Sequence, residues 1–367
     1  EQGTFVFRLA GRERQQSASY YSPEVLTQFT VQQGLEELLA DDPAADEILG
    51  MSVCEPALGS GAFAIEAVRQ LADAYLTKRQ EELDQKIDPE QYPAELQKVK
   101  AYIALHNVYG VDLNPTAVEL AEVSLWLDTM SRGLKGPWFG LRLRSGNSLV
   151  GARQSVYDAS VVQKATPKDR MQTPARHVPL GRTVDSETGI FHFLLPAEGW
   201  GAAGSNSEIK KIAPDEAKAL REWAKRVQKK PSKTQIKELQ SLTERIDDLW
   251  QLARRRMVEA ERQSRRSIDV WGADVEPGGE VTREEIEASL RDPNSAYRRL
   301  RLIMDAWCAM WFWPVTQDPT QPAPPEFDDW LAVIRSIAGQ KFEGRRGKQS
   351  EYFGQNDSEW ETLEGIE

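Results

Sequence analysis

Apolar residues spaced three and four apart alternate with short apolar runs along the first 150 residues, the pattern of helices between buried strands. One helical stripe follows Pro23, with Ser22 placed to cap it. Its apolar positions are Val25, Leu26, Phe29, Val31 and Leu35. A second stripe begins at Ala62 and comprises Ile65, Ala67, Val68, Leu71 and Tyr75. A third covers residues 115–130, with a predicted core side of Val118, Leu120, Ala121, Leu125, Trp126 and Leu127.

Three short apolar runs predict strands next to these helices. They are residues 50–54, residues 107–112 and the start of 141–149. Strands that alternate with helices indicate an α/β fold. A stretch rich in Glu, Lys and Gln over residues 78–100 separates the first two strands, and it predicts a polar helical excursion with a solvated face.

The second half of the chain is mainly helical in pattern. Residues 215–267 predict a long helical hairpin that breaks at 229–233, where Ser232 is placed to cap the second arm. The apolar seam of that arm comprises Ile236, Leu239, Leu242, Ile246, Leu249 and Leu252. We expect the hairpin to project as an arm that can be deleted without loss of solubility. Its arginine-rich end favours a solvated face over a DNA-backbone contact.

Further elements follow the same logic. Residues 4–10 and 190–195 predict strands, and residues 197–210 predict a loop. Two more helices lie within 282–313, and a short helix covers 327–337. The first pair carries a stripe that we predict to be core, comprising Tyr297, Leu300, Met304, Trp307, Cys308, Trp311 and Trp313.

A glycine turn over residues 52–63 joins a strand, an acid and a helix start. Gly59 and Gly61 lack a Cβ, so the backbone can turn tightly and a ligand can approach it. Their spacing with Ala64 also fits the loose dinucleotide fingerprint. Glu55 favours another ligand, because a carboxylate is a poor neighbour for a pyrophosphate and a good one for an ammonium group. The loop therefore suits S-adenosylmethionine better than NAD, and we expect Gly61→Val to fill the space where the ligand meets the backbone.

Asp112 is a second candidate ligand-binding residue. It ends a predicted strand, and Pro115 opens the next helix at a position where proline is favoured. An acid at such a strand end can accept both hydroxyls of a ribose. In dinucleotide enzymes the acid follows the glycines by about 20 residues, and the longer gap here weakens the NAD interpretation further.

Taken in order, three stretches make the chain resemble the N6-adenine DNA methyltransferases. They are Ser19-Tyr-Tyr-Ser-Pro23, Glu55-Pro-Ala-Leu-Gly-Ser-Gly-Ala-Phe63 and Val111-Asp-Leu-Asn-Pro-Thr-Ala-Val-Glu-Leu-Ala121. They look like the leading cofactor motif, the glycine loop and the ribose-binding acid of that family. The likeness is to the large methyltransferases of bacterial phage-defence systems, of the BREX and DISARM types, and to fused restriction–modification enzymes. It implies a Rossmann-like class I S-adenosylmethionine-dependent methyltransferase fold, incomplete here, with a large helical insertion.

The resemblance also implies roles for individual residues. The methionine end of S-adenosylmethionine would be lined by Tyr21, Ser22 and Pro23, and its ribose would be bound by Asp112. Leu113 would lie against the adenine face. The glycine-loop residues that would hold the methionine moiety are Glu55, Ala57, Gly59 and Gly61, and Phe63 is a further cofactor-binding residue of that loop. Asn147 occupies the position that contacts the adenine edge, although an Asn between Gly and Ser is also ordinary turn chemistry.

That family carries out catalysis with an (Asn/Asp)-Pro-Pro-aromatic motif, which this chain lacks. Pro324-Pro325-Glu326-Phe327 follows an alanine and has Glu where the aromatic belongs, and Asp292-Pro293-Asn294 lacks the second proline. The chain also opens on Glu1 without a methionine. We therefore expect an excised piece that holds the cofactor half of a methyltransferase, has no catalytic residue of its own and is catalytically silent alone.

The implied division of the chain has five parts. Residues 1–48 carry the leading motif, 49–153 the cofactor-binding core, and 154–204 a mixed strand and loop segment. Residues 205–338 form the helical insertion, and 339–367 a polar tail.

Composition limits the partners. A formal net charge of −11 argues that this chain alone is not a nucleic-acid-binding domain. Specific DNA contacts are therefore expected mainly in parts outside this chain. Two cysteines provide no disulfide framework, which favours a reducing cytoplasm. Three histidines show no metal-ligand spacing, and no apolar run reaches the roughly 18 residues of a membrane helix. We therefore predict no metal site and no membrane partner.

The predicted function is the S-adenosylmethionine-binding portion of an adenine-specific DNA methyltransferase, with other defence-system proteins as further partners. Two alternatives stay open. One is a non-catalytic cofactor-binding or scaffold module whose helical insertion contacts proteins, which the missing motif favours. The other is a protein or RNA methyltransferase of the same fold, against which the leading Tyr-Ser-Pro element argues.

Overall fold

Three short parallel strands form the sheet that carries the predicted glycine loop. In this computed structural model the described residues are 22–130, 138–139, 141–171, 173–265, 267–275, 284–286, 288, 292, 294–315 and 323–339. Tyr21, the strand predicted at 4–10 and the tail after residue 339 lie outside them. The twelve helices named here are α1 (Glu24–Leu39), α2 (Ala45–Leu49), α3 (Ala62–Leu83), α4 (Tyr92–Asn107), α5 (Pro115–Thr129), α6 (Ala159–Lys164), α7 (Pro167–Met171), α8 (Ser207–Ile212), α9 (Pro214–Val227), α10 (Lys233–Ser264), α11 (Ala296–Ala309) and α12 (Phe327–Ala338).

The parallel sheet has the order β1-β2-β3, with β1 at Val53–Glu55, β2 at Val108–Asp112 and β3 at Leu143–Ser145. Glu55 is paired with Gly110, and Asp112 with Ser145, so the three carboxyl ends meet at one edge. Helices α3 and α4 connect β1 to β2, and α5 connects β2 to β3. A parallel sheet needs such helical crossovers, and the α/β class predicted from the sequence is the class observed.

The first hydrophobic core lies between this sheet and helices α2 to α5. Leu71 and Tyr75 of α3 and Ile103 of α4 are fully buried there. The excursion predicted over residues 78–100 is divided between the end of α3 and the first half of α4, and Val99 is buried. That stretch therefore contributes to the core and is not solvated throughout.

The apolar stripes of α1 and α5 are more exposed than the sequence predicts. On α5, Val118, Ala121 and Leu125 are buried, but Leu120, Trp126 and Leu127 of the predicted core side are exposed. On α1, Val25, Leu26 and Phe29 are exposed as well. Pro23 stands at the N-cap of α1 with no side-chain cap, so the predicted capping by Ser22 does not occur.

A second core forms around three antiparallel strands, β4 (Ser155–Asp158), β5 (Arg176–His177) and β6 (Gly189–Phe191), in the order β5-β4-β6. Helix α10 packs on β6, α11 and α12, and its capping box at Ser232 is as predicted. The buried seam of α10 comprises Leu239, Leu242, Ile246, Leu249 and Leu252. This single core draws residues from Val156 to Ala338, so the predicted boundary between 204 and 205 falls inside it. The hairpin is thus part of a core and does not project as a free arm.

Aromatic side chains fill the same core. Trp200 is stacked on Trp223 and lies edge-on to Trp330 and Trp311. Trp307 packs against Trp311 with ring centroids 4.4 Å apart. The aromatic stripe of α11 therefore packs as core, as predicted. The strand predicted at 190–195 ends at Phe191 and continues as a 3₁₀ turn, His192–Leu194.

The end of α10 and the segment after it connect the second core to the first. Glu261 of α10 accepts hydrogen bonds from Tyr109 of β2 at 2.9 Å and from Arg142 at 2.6 Å. Ile268 and Val270 are buried in the first core, where the Tyr75 hydroxyl donates to the carbonyl of Trp271 at 2.9 Å. Residues of the second half of the chain thus complete the packing around the parallel sheet.

Candidate functional site

The glycine loop begins where β1 ends, at Glu55, and leads into α3. Gly59 and Gly61 have φ angles of +53° and +80°, in the left-handed region that residues with a Cβ rarely adopt. The Gly61 N–H donates to the carbonyl of Leu58 at 2.8 Å, which closes the turn. The sequence Gly-Ser-Gly is therefore required by the backbone itself.

Asp112 holds this loop from the end of the neighbouring strand. Its Oδ2 accepts a hydrogen bond from the Gly59 N–H at 2.7 Å, and its Oδ1 accepts from the Asn114 N–H at 2.8 Å. The Leu58 N–H also donates to the carbonyl of Val111 at 3.0 Å. Each carboxylate oxygen has a second lone pair, so Asp112 can still accept from a ligand hydroxyl.

Glu55 lies beneath the same loop at the end of β1. Its Oε2 accepts from the backbone N–H of Ala64, in the first turn of α3, at 3.0 Å. Burial raises the pKa of Glu55 to about 7; the Ala64 hydrogen bond opposes the rise, and the negative charge of Asp112 adds to it. A half-buried carboxyl that changes charge near neutral pH suits a cationic ligand, because an ammonium group would favour its ionised form.

The two loop glycines have different surroundings. A Cβ built at Gly61 would lie 3.3 Å from the Cβ of Ala121 on α5, whereas a Cβ at Gly59 would have nothing within 4 Å. Gly61 therefore allows α3 to pack closely on α5, and the open space for a ligand lies beside Gly59. The expectation that a side chain at Gly61 fills the ligand space is wrong, since it would meet α5 first.

Asn147 follows β3 at the same edge of the sheet. Its Oδ1 accepts from the N–H groups of Leu149 and Val150 at 2.9 and 3.0 Å, which is ordinary turn chemistry. The Gly146 N–H donates to the carbonyl of Asp112 at 2.9 Å and so ties this turn to β2. The side-chain oxygen is engaged in the turn, and the amide nitrogen is the group suited to donate to a ligand.

The remaining predicted residues have varied positions. Leu113 is exposed immediately after Asp112, Ala57 is exposed in the loop and Phe63 is half-buried in the first turn of α3. Ser22 and Pro23 are exposed at the start of α1. There Glu24 contacts Arg69, seven residues into α3 and about 10 Å along its axis. The structure brings together Glu55, the glycine loop, Asp112 and Asn147, and it places the start of α1 beside the second turn of α3.

One residue that the sequence analysis overlooked supports the loop from below. A Cβ at Gly110 of β2 would lie 2.7 Å from a methyl group of Leu58, which is itself buried. Gly110 therefore leaves room for Leu58 under the loop. A glycine inside a strand run is a known sign of close approach, so the signal was available in the sequence.

Other candidate groups are structural. Pro325 accepts a hydrogen bond from the Trp223 indole at 2.9 Å, and Phe327 is buried, so this proline pair belongs to the second core. Burial lowers the pKa of His106 to about 3 and that of His192 to about 4. In the ranges described, no His, Cys, Asp and Glu side chains are grouped as a metal ion would require. None of the described helices is long and apolar enough to cross a membrane.

Two comparisons with known proteins give matches, and one of these matches contains the glycine loop. Residues 36–133 match the family model of the MmeI DNA-methyltransferase domain, and this range contains Glu55, both loop glycines and Asp112. This match, together with that to an archaeal relative, supports a DNA-methyltransferase domain. A protein of Methanocaldococcus jannaschii, named as a candidate type II restriction enzyme and methyltransferase, is 35% identical over 120 residues. That match covers 29% of this chain and only 9% of the relative's length. No solved structure gives a significant match.

Proposed function

We propose that this chain is the S-adenosylmethionine-binding portion of an adenine-N6 DNA methyltransferase from a restriction–modification or phage-defence system. The proposal is carried by the arrangement of Glu55, Gly59 and Asp112 at one edge of a parallel sheet. This edge lies within the stretch that matches a DNA-methyltransferase domain. The sheet and its helical crossovers are compatible with one half of a Rossmann-like class I fold.

The residues present fit S-adenosylmethionine. Glu55 would accept from the ammonium of the methionine moiety, and the open space beside Gly59 would admit that moiety close to the backbone. Asp112 would accept from the ribose hydroxyls through its second lone pairs. Leu113 would lie against the adenine ring, and the Asn147 amide would donate to one of its nitrogens. Ala57, Gly61 and Phe63 would shape the loop, and Tyr21, Ser22 and Pro23 would wall the methionine end.

These contacts would bind and orient the cofactor, which supplies the methyl group. Orientation alone accelerates nothing unless a second group holds the acceptor in line. The acceptor amine of adenine is paired inside duplex DNA, so the base would have to leave the stack. The residues that hold it would belong to parts of the intact protein outside this chain, as would most DNA contacts. Other defence-system proteins are further partners in this proposal, and the location is the cytoplasm.

Titration calorimetry tests the cofactor assignment. The demethylated product, S-adenosylhomocysteine, is the probe because it does not react, and NAD is the comparison. We expect saturable binding of S-adenosylhomocysteine that Asp112→Ala weakens strongly. Asp41→Ala, at an exposed position in the turn after α1, is the matched control. Equal affinity for NAD, or no effect of Asp112→Ala, would refute the assignment.

A methyl-transfer assay tests the second half of the proposal. The purified chain is incubated with tritiated S-adenosylmethionine and mixed-sequence DNA, and labelled adenine is measured. We expect cofactor binding without labelling, because the sequence lacks the (Asn/Asp)-Pro-Pro-aromatic motif that would hold a flipped adenine. Robust labelling of adenine would show that the chain has its own catalytic groups.

A further inference from the structure

Positive charge is concentrated in one stretch of an otherwise acidic chain. Residues 141–184 contain eight Lys and Arg and two Asp, a net charge of +6, whereas the whole chain has a net charge of −11. A local excess of positive charge attracts polyanions even on an acidic protein, because salt screens charges that are more than about 10 Å away. The overall acidity of the chain therefore does not describe this stretch.

Three arginines in and beside this stretch have exposed side chains: Arg153 just before β4, Arg182 between β5 and β6, and Arg254 on α10. We call these three residues the arginine cluster. In the part of the chain that the structure describes, none of their guanidinium groups has an ion-pair partner. All three are therefore available to a ligand outside the chain.

Two members of the cluster meet at the turn over Gly181. This glycine has a φ of +83°, and a Cβ built on it would lie 3.1 Å from Cζ of Arg254. The Arg254 guanidinium thus lies against the backbone immediately before Arg182. Glycine is needed here both for the left-handed backbone and for the space that the guanidinium occupies.

Arg153 is joined to the same turn through its neighbour Gln154. The side-chain amide of the buried Gln154 donates to the carbonyl of Arg182 at 3.3 Å, and that of Gln251 on α10 donates to the same carbonyl at 3.0 Å. On the other side, Nε2 of His192 lies 3.1 Å from both the backbone N and the backbone O of Arg153. The second core therefore holds the backbone of the cluster in place.

Few acids compete for these arginines. The sequence has no acid between Asp169 and Asp185. Asp185 follows Arg182 by three residues, but its side-chain oxygens accept from the Glu187 N–H at 3.0 Å and from the Thr188 hydroxyl at 2.9 Å. An exposed guanidinium that lacks an acid is well suited to phosphate, which it can bind through two parallel hydrogen bonds.

The cluster follows the candidate cofactor edge along the chain. Asn147 and Arg153 are six residues apart, so the main chain separates them by no more than about 22 Å. The stretch that matches a DNA-methyltransferase domain ends at residue 133, so the cluster lies outside it. A polyanion held by the cluster would lie near the edge of the sheet that carries Asp112 and Asn147.

We propose that the arginine cluster contacts the phosphate backbone of duplex DNA and positions the duplex beside the Asn147 turn. The inference rests on the proposed function, from which it takes DNA as the polyanion, and it adds a DNA-contacting surface of this chain to that function. Phosphate contacts carry no sequence information, so the cluster sets position and affinity and leaves the choice of target site to other parts. The arginine-rich end of α10, expected from the sequence to be only a solvated face, contributes Arg254 to this surface.

Salt-dependent DNA binding tests the proposal. Binding to a fluorescently labelled duplex of about 24 base pairs is measured by anisotropy between about 50 and about 200 mM salt. Each phosphate contact contributes about 0.9 to the slope of log K against log salt, so Arg153→Gln, Arg182→Gln and Arg254→Gln together should lower the slope by about 2–3. At the lowest salt concentration we expect at least about tenfold weaker binding. Absence of binding by the native chain, or an unchanged slope in the triple variant, would overturn the proposal.

Two matched triple variants separate the charge of the cluster from other effects. Lys218→Gln, Lys225→Gln and Lys229→Gln remove the same charge from exposed positions on or next to α9 and should keep the native slope. Changing the three cluster arginines to lysine retains the charge and should keep most of the slope. An equal fall in the α9 variant, or loss of the slope in the lysine-substituted cluster, would contradict a contact through these charges.

Binding of S-adenosylhomocysteine to the same variants keeps this test separate from that of the cofactor. The glutamine variant of the cluster should bind it as the native chain does. Failure of the native chain to bind S-adenosylhomocysteine would refute the cofactor assignment and not the cluster, and an unchanged salt slope would do the reverse. Tighter binding to single-stranded RNA of the same length, or to phosphatidylserine vesicles, would overturn the choice of duplex DNA as the partner.

Discussion

The backbone N–H of Gly59 donates to Oδ2 of Asp112 across 2.7 Å, although the two residues are 53 positions apart in the sequence. The bond joins the glycine loop to the carboxyl end of the neighbouring strand. The acid thus orders the loop while it remains able to accept from a ligand. A structural role and a binding role therefore meet in one side chain, and substitutions can separate them.

Asp112→Asn is the first such substitution. An Asn oxygen can still accept from Gly59, but the Asn amide nitrogen would then face the Asn114 N–H, so we expect the free energy of unfolding to fall by about 1–3 kcal/mol. A ligand hydroxyl loses a charged acceptor, which is worth about 1.5–3 kcal/mol, so affinity for S-adenosylhomocysteine should fall about 10- to 100-fold. Calorimetry and thermal unfolding of the same preparation measure both quantities. A fall in stability with unchanged affinity would assign Asp112 a purely structural role.

Cofactor affinity should depend on pH through Glu55. The pKa of Glu55 is raised to about 7, and an ammonium ligand requires the ionised carboxylate. Affinity should therefore decrease by about tenfold per pH unit below 7. Calorimetry between pH 5.5 and 7.5, with Glu55→Gln as the control, should show a slope in the native chain and none in the variant. If affinity still depends on pH in Glu55→Gln, a titratable group other than Glu55 causes the dependence.

The same carboxyl predicts the pH dependence of stability without ligand. Because its pKa is raised in the folded state, Glu55 binds more protons there than in the unfolded state between about 4.5 and 7. Its contribution to the free energy of unfolding should therefore decrease as pH rises through this window. Thermal unfolding measures this effect: from about pH 4.5 to 7 the unfolding temperature of the native chain should fall relative to that of Glu55→Gln. A rise of the native chain relative to the variant would contradict the burial of the carboxyl.

The two loop glycines should respond differently to substitution. Gly59→Ala meets no atom within 4 Å but must adopt φ near +53°, which costs about 1–2 kcal/mol. Gly61→Val faces the same backbone strain and also the Cβ of Ala121, so we expect about 2–5 kcal/mol of destabilisation. Denaturant titration measures both values. Equal stabilities for the two variants would show that α3 and α5 can separate at little cost.

The connection between the two cores depends on Glu261. Its carboxylate pairs with Arg142, whose side chain is 4% exposed, and accepts from Tyr109. Glu261→Gln should leave a buried guanidinium without a charged partner and cost about 3–5 kcal/mol. Glu259→Gln, on the same helix but at an exposed ion pair with Arg262, should cost less than about 1 kcal/mol. Similar unfolding midpoints for both variants would contradict this assignment.

Deletion of residues 215–267 is expected to give an insoluble protein. The deletion removes the α10 seam from the second core and exposes the buried residues that pack around it, such as Phe191 of β6 and Trp330 of α12. The sequence pattern alone favours a dispensable arm. An apolar seam shows that a helix packs against something, but it does not show whether the helix packs within the hairpin or on the rest of the protein. A soluble deletion variant with a cooperative unfolding transition would restore the arm interpretation.

Local signals predict much of the first half of the fold correctly. Helix α3 begins at Ala62, and α5 covers Pro115–Thr129, close to the predicted 115–130. In each case the start is marked within a few residues, by the glycine turn or by proline at the first helical position. Burial is predicted less well, and Trp126 is an example, because periodicity shows which residues share a face but not what lies opposite.

The sequence by itself determines the order of acid, glycine turn and helix, and with it the ligand chemistry that the loop can offer. Backbone preferences of glycine and proline act within a few residues, so this part is encoded locally. Only the tertiary structure decides that Asp112 holds Gly59, that Gly61 faces Ala121 and that Glu55 has a pKa of about 7. These properties depend on close approach and on loss of water around a charge, and both arise only when strands and helices distant in the sequence pack together.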